Sequence, residues 1–276
     1  MGTNKRSKTT KAVILARGLG TRMRKRSDAN LTGDQAQAAA TGVKAMIPIK
    51  RPFLDYVMHN LADAGFTDVC LIIGDEHTQV RDYYANEVEL TRIRVHFAIQ
   101  KEPKGTADAV AAAEVFAGND SFIVINSDNY YPLDAFKALH EQDGAGLAAF
   151  DRKVMIEESN VEAARLMGYA IVESDETGNM KTIHEKPNET LMAKFGEHAL
   201  LSMNCWRFGP SIFEACRKIN LSPRGELEIT DAVNYDIDNL DADYHVYPCD
   251  KPVLDLSCQD DIGSVTERLI DMEVVI

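Results

Sequence analysis

Short apolar runs at residues 12–15, 69–73, 94–99 and 121–125 each end near Gly, Asn or a charged residue, and they predict strands. Between them, residues 53–62 and 107–116 carry apolar side chains at spacings of three and four, the pattern of helices with one buried face. This alternation predicts an α/β fold with a mainly parallel sheet covered on both faces, and ligands at the carboxyl ends of the strands. From about Gly146 the pattern changes. Residues 169–173, 180–183 and 202–208 predict short strands separated by turns such as Glu176-Thr177-Gly178, hence a smaller antiparallel addition over a sugar-sized pocket. Residues 24–42, rich in Ala, Gln, Asp and Arg, predict a long polar loop with a short helix at 32–40. With little apolar surface to anchor it, this segment is expected to close as a lid when an anion binds beside it.

At 276 residues and 45% apolar content, the chain can bury a full core as one large domain. A net charge of −13 argues against nucleic acid as a partner, so any anion must be held locally. Lys5-Arg6-Ser7-Lys8 reads as part of a flexible basic tail over 1–10, and it lacks the apolar core of a signal peptide. No apolar run approaches the roughly 20 residues of a membrane span, so no membrane partner is expected. Cys70, Cys205, Cys216, Cys249 and Cys258 are odd in number and nowhere spaced Cys-x-x-Cys. That usage suits reduced thiols in a cytoplasmic protein, without a disulfide framework or a zinc site.

The first apolar run feeds Leu15-Ala16-Arg17-Gly18-Leu19-Gly20-Thr21-Arg22. Glycines permit a tight turn whose N–H groups face a phosphate, and Arg22 adds a charge-assisted fork. The dinucleotide fingerprint fails because Met23 stands where its third glycine belongs, and the Gly-Lys-Ser/Thr of a P-loop is missing too. Asp128 follows another buried run, where a hard carboxylate oxygen suits Mg²⁺ bound with nucleotide phosphates. Asp255 lies in a short late strand, Val253-Leu254-Asp255-Leu256. Gln100 offers amide donors and an acceptor to a pyrimidine edge, and Gly105 allows close approach to a flat ring. Glu185-Lys186-Pro187 sets an acceptor for hydroxyls beside a cation for phosphate.

Taken together, residues 15–22, Lys44 with Pro48, residues 100–108, Asp128, Tyr169 with Glu173, Glu185-Lys186-Pro187 and residues 224–231 resemble the sugar-1-phosphate nucleotidyltransferases over roughly 11–269. The likeness is greatest to the thymidylyl- and uridylyltransferase branch. It implies a Rossmann-like, glycosyltransferase-A-like sheet flanked by helices. One domain over 11–276 would comprise a nucleotide-binding part (11–145), a sugar-binding part (146–250), and a C-terminal metal-ligand strand and helix (251–276). The implied reaction joins a nucleoside triphosphate and a sugar 1-phosphate into a nucleoside diphosphate sugar and pyrophosphate. By the same resemblance Ala16, Gly18, Gly20, Thr21, Gln100, Pro103 and Gly105 hold the nucleotide, and Arg22 and Lys44 hold and activate its phosphates. Asp128 and Asp255 bind Mg²⁺, while Tyr169, Glu185, Lys186 and Asn204 contact the sugar phosphate. Such enzymes are often dimers or tetramers.

Four departures bear on specificity. A loop position usually glycine is Arg17, the usual proline after the basic motif is Lys25, and a position often glutamine is Ala45. Ser202-Met203-Asn204-Cys205-Trp206 replaces an Asn-Ala-Gly type of strand, and Trp206 is expected to pack under a substrate different from glucose. Two further readings stay open: transfer to a non-sugar phosphate, and a non-catalytic nucleotide-sugar-binding regulator. Loss of Lys44 or of a metal aspartate would favour the regulator, and neither is lost.

Overall fold

The computed structural model describes residues 8–276. The four runs read from the sequence are strands β1 (Lys11–Leu15), β2 (Asp68–Ile73), β3 (Arg94–Ile99) and β4 (Phe122–Asn126). β1 lies between β2 and β4, parallel to both, and β3 continues in parallel beyond β2. Lys11 is level with both Asp68 and Phe122, so the carboxyl ends of these strands finish together. The chain passes to one side of β1 for β2 and β3 and to the other for β4. The β1/β4 border is therefore the switch point where a crevice opens. Successive side chains point to opposite faces: Ala12 and Ile14 join one apolar cluster, Val13 the other.

The remaining strands are β5 (Asn129–Tyr130), β6 (Ala145–Asp151), β7 (Ala170–Ser174), β8 (Met180–His184), β9 (Leu200–Phe208), β10 (Tyr244–Cys249) and β11 (Leu254–Asp255). The main sheet runs β10-β6-β9-β4-β1-β2-β3, with β9 antiparallel to β4 and β6, and β6 parallel to β10. The run at 202–208 is thus an inner strand of the main sheet, not part of a separate antiparallel addition. Only the hairpin of β7 and β8 extends from it, through Ala170 and Ile171. β6 escapes the sequence reading because its Ala- and Gly-rich core lacks the β-branched signature of a strand. The helix expected at 107–116 breaks into Thr106–Ala111 and Glu114–Ala117.

Residues 24–42 do carry the expected helix, at Gly33–Thr41. Thr32 Oγ1 accepts from Gln35 N and Gln35 Oε1 accepts from Thr32 N, both at 3.2 Å, a capping box that fixes its start. Gln35 Nε2 donates to Pro48 O and Thr266 Oγ1, tying the segment to the helix Asp261–Leu269. Of the basic tail expected over 1–10, residues 1–7 lie outside the described residues. Thr9 is packed rather than flexible: it is buried, with its hydroxyl donating to Ser121 O. All five cysteines are free. Among the described residues no helix is long and apolar enough to cross a membrane.

Candidate functional site

A crevice of about 420 Å³ opens at the carboxyl ends of β1, β3 and β4. Ala16, Gly18, Gly20, Thr21, Arg22, Lys44, Gln100, Pro103, Gly105, Asp128 and Asn204 all line it. Residues brought together from five parts of the chain thus share one cavity. Ser127, Thr106 and Glu226 also border it, without a distinguishing signal in the sequence.

The glycine loop is built onto the turn that delivers Lys44. Gly20 has φ 61°, and a Cβ there would collide with the Gly42 carbonyl and come within 2.6 Å of Gly42 Cα. The Arg24 guanidinium clasps the same turn, with Nε and Nη2 donating to Thr41 O at 3.1 and 2.8 Å. Gly42 O in turn accepts from Lys44 N at 3.1 Å, at the start of the short 3₁₀ turn Lys44–Met46. Gly18 differs: a Cβ there meets nothing within 4 Å, so its neighbourhood is open space. Lys44 Nζ donates to Asp128 Oδ2 at 2.7 Å, with both side chains largely buried. This ion pair places a cation and a carboxylate on one wall of the crevice while each offsets the other's desolvation.

Gln100 is buried, and its Nε2 donates to Gly105 O at 3.1 Å and Asp108 Oδ2 at 2.8 Å. Both partners are acceptors, so the amide orientation is fixed and Oε1 is the atom left over. Gly105, at φ 122°, is required by the protein itself: a Cβ there would lie 2.6 Å from Leu227 N. Leu227 brackets this loop, with its N–H donating to Lys104 O at 2.7 Å and its carbonyl accepting from Ala107 N at 2.9 Å. The segment at 224–231 therefore braces the loop that carries Gln100.

Asp255 pairs across the β5/β11 ladder with Asn129, and Leu256 N donates to Asp128 O at 2.8 Å, so the two aspartates stand side by side. Their settings differ. Asp255 is 1% exposed, and its Oδ1 accepts from Ser257 Oγ at 2.7 Å and Asn129 Nδ2 at 3.4 Å. Its Oδ2 accepts from Tyr169 Oη at 3.0 Å and from the Arg165 guanidinium, which also grips Asp261 at 2.6 Å. Burial and the neighbouring charge of Asp128 push the Asp255 carboxyl above the ordinary aspartate range, against the pull of Ser257 and Arg165. Burial and the charge of Asp255 likewise push the Tyr169 hydroxyl up. Asp255 and Tyr169 do not line the crevice itself. Arg165 carries no sequence signal, since its role depends on a fold contact spanning 90 residues.

Asn204 reaches the crevice from β9 with a left-handed backbone, φ 56°; its Nδ2 donates to Asn126 Oδ1 at 3.4 Å. Trp206 does not line the crevice. It is fully buried between Phe208 and Tyr244, and its indole N–H donates to Asn204 Oδ1 at 3.2 Å, so it steadies Asn204 from the core. Glu185 and Lys186 follow β8, outside the crevice lining. The Glu185 carboxyl is raised by burial and by the charge of Glu228, opposed by Arg224 and Lys186. Its Oε2 accepts from Thr230 Oγ1 at 3.4 Å.

The nucleotidyl transferase family model matches residues 11–267. The chain is 30% identical over 230-odd residues to a glucose-1-phosphate thymidylyltransferase of Streptomyces antibioticus, covering 83% of this chain and 58% of that protein. It is 29% identical to the low-salt glycan biosynthesis nucleotidyltransferase Agl11 of Haloferax volcanii, covering 81% of this chain and 56% of that protein. The chain thus spans less than two thirds of the length of these relatives. A solved UDP-glucose pyrophosphorylase complexed with UDP-glucose shares the fold, with a TM-score of 0.72 at 18% identity, covering 94% of this chain and 97% of that one.

Proposed function

Because the chain belongs to the nucleotidyl transferase family, we propose that it joins a nucleoside triphosphate to a sugar 1-phosphate, releasing pyrophosphate and giving a nucleoside diphosphate sugar. The observation that carries this reading is the convergence in one crevice of the glycine loop, the Lys44–Asp128 pair and the Gln100 amide. Gly18, Gly20 and Thr21 cradle the phosphates, with Ala16 and Pro103 beside the nucleoside. Arg22 and Lys44 neutralise charge on the triphosphate as a sugar-phosphate oxygen attacks the α-phosphorus in line. Such a reaction needs positioning and charge neutralisation rather than a covalent intermediate. Asn204 at the crevice edge, with Tyr169, Glu185 and Lys186, receives the sugar phosphate.

Gln100 narrows the choice of base. Its free atom is an acceptor, so it requires a donor on the ring edge: N3–H of uracil or thymine and N1–H of guanine supply one, whereas cytosine N3 and adenine N1 are acceptors. Among these, uracil or thymine is the base of this proposal, in keeping with the thymidylyl- and uridylyltransferases that the chain resembles.

The divalent ion implied by the family can be tested against the donor set. Mg²⁺ takes one or two carboxylates and completes its shell with phosphate oxygens and water. Asp128, on the crevice wall, fits that role. Asp255 fits as a second ligand only by giving up Arg165 or Tyr169, because each of its oxygens already accepts two hydrogen bonds. Among the described residues no group of three or more His, Cys, Asp or Glu is arranged for a metal, so substrate oxygens would complete the shell. When bound, Mg²⁺ offsets charge on the departing pyrophosphate. The reading also takes the protein to be cytoplasmic and able to self-associate.

The test is pyrophosphate release with each triphosphate against a panel of sugar 1-phosphates and non-sugar phosphates, with products identified by mass. Turnover with UTP or dTTP and a sugar 1-phosphate supports the proposal. Turnover only with choline or polyol phosphates moves the acceptor outside sugars, and no turnover with any pair sinks the proposal.

A further inference from the structure

Arg17 stands in the loop after β1 where its family usually has glycine, and its side chain is not a solvated one. It lines the crevice, and only 10% of the side chain is exposed. Nη2 donates to Glu76 Oε1 at 3.2 Å, but Nε and Nη1 are buried without any hydrogen-bond partner. The guanidinium lies over Gly74, just past β2, where a Cβ would collide with both Arg17 Nε and the Glu76 carboxylate. Its charge acts on His77 on one side and on Glu102, two residues beyond Gln100, on the other. Arg17 thus sits at the carboxyl ends of β1, β2 and β3, the end of the crevice that Gln100 occupies.

Guanidinium nitrogens buried without acceptors are costly, and a group of this kind calls for a partner that arrives later. We propose that Arg17 is a specificity-determining residue that donates to a ring carbonyl of the nucleobase, beside the N–H accepted by Gln100. The two side chains then form a complementary pair, one acceptor and one donor, matching the adjacent N–H and C=O of a uracil or thymine imide; guanine N1–H and C6=O present the same pair, so the device selects against cytosine and adenine. Cytosine sets its N3 acceptor against the Gln100 oxygen, and its amino group has no lone pair to offer the guanidinium. Specificity of this sort rests on leaving buried polar groups unpaired with the wrong ring. The inference builds on the proposed nucleotidyl transfer and adds to it a second reader of the base.

The experiment measures kcat and KM for UTP, dTTP, CTP, ATP and GTP with a sugar 1-phosphate, for the wild type, Arg17→Gly and Arg17→Lys, with thermal melting of each. The expected wild-type ranking is headed by UTP or dTTP. Arg17→Gly should raise KM for that triphosphate about tenfold or more, leave kcat less affected, and shrink its preference over CTP about tenfold. Arg17→Lys, which keeps a donor, should recover part of that preference. An unchanged UTP to CTP ratio in a folded Arg17→Gly enzyme would overturn the role of Arg17. Should Arg17→Gly melt early, Arg17→Lys decides by the same ratio, a preference as low as that of the glycine variant counting against the proposal. Absence of wild-type turnover with every triphosphate would instead overturn the transfer reaction on which the inference rests.

Discussion

Replacing Gly20 by alanine tests whether the glycine loop and Lys44 form one mechanical unit. Gly20 has φ 61°, and an added Cβ would come within 2.6 Å of Gly42 Cα and closer still to its carbonyl oxygen. Those obstacles are backbone atoms, and Gly42 is itself tied by its N–H to Ala39 O at 3.0 Å, so the turn cannot simply rotate aside. A left-handed non-glycine residue costs roughly 1–2 kcal/mol, and overpacking against fixed atoms adds typically about 1–3 kcal/mol. The expected loss is therefore about 2–5 kcal/mol. A shift of Gly42 passes to Lys44 through their 3.1 Å backbone hydrogen bond, and a displacement of about 1 Å at a catalytic group can cost about a hundredfold in rate. Urea unfolding followed by circular dichroism reads the stability, and pyrophosphate release reads the rate. Gly18→Ala is the control: nothing lies within 4 Å of its Cβ, so its stability should stay within about 0.5 kcal/mol of wild type. A Gly20→Ala protein as stable and as fast as wild type would refute the coupling.

Asp128→Asn should lower turnover by at least about a hundredfold in a protein that remains folded by circular dichroism, with a melting temperature lowered by loss of the Lys44 pair; near-normal turnover at saturating Mg²⁺ would remove Asp128 from the metal and phosphate chemistry. Trp206→Phe should destabilise the protein by about 1–3 kcal/mol in urea but keep the ranking of sugar phosphates, and a changed ranking would return Trp206 to the substrate. The Asp68 carboxyl is held below its ordinary value of 3.8, because bonds from Arg94, Thr67 and His96 outweigh burial. Its folded pKa is depressed, so its contribution is present above about pH 4 and lost as pH falls through the lower folded value. Asp68→Asn should flatten that acid-side loss in pH-dependent melts without affecting turnover, and an unchanged acid limb would contradict it. If residues 24–42 close over the phosphates, a nonhydrolysable triphosphate with Mg²⁺ should slow their amide hydrogen exchange; equal protection in both states would make the segment purely structural.

The parallel half of the sheet was legible because β1, β2 and β4 are continuous apolar runs buried on both faces and β3, at the sheet edge, begins by alternating polar and apolar residues, patterns written entirely in local sequence. β9 was found as a strand but misassigned, since which neighbours a buried strand joins depends on contacts about 50 or more residues away. Asp128 and Gln100 were readable from residue type and position at strand ends, Lys44 only through the family resemblance, since it stands in a 3₁₀ turn. The reason for Gly105 was not, because the Leu227 backbone that demands it lies 122 residues downstream. Trp206 misled through its size: large aromatics serve cores as readily as pockets, and only burial between Phe208 and Tyr244 tells them apart.

The most direct test of the central claim is exchange of labelled pyrophosphate into UTP or dTTP by the purified protein with Mg²⁺. Direct in-line transfer predicts that label enters the triphosphate only when a sugar 1-phosphate or the matching nucleoside diphosphate sugar is present, and that Asp128→Asn abolishes the exchange. Exchange without any acceptor would reveal a covalent nucleotidyl-enzyme, and no exchange with any sugar phosphate would contradict the assignment of this crevice to nucleotidyl transfer.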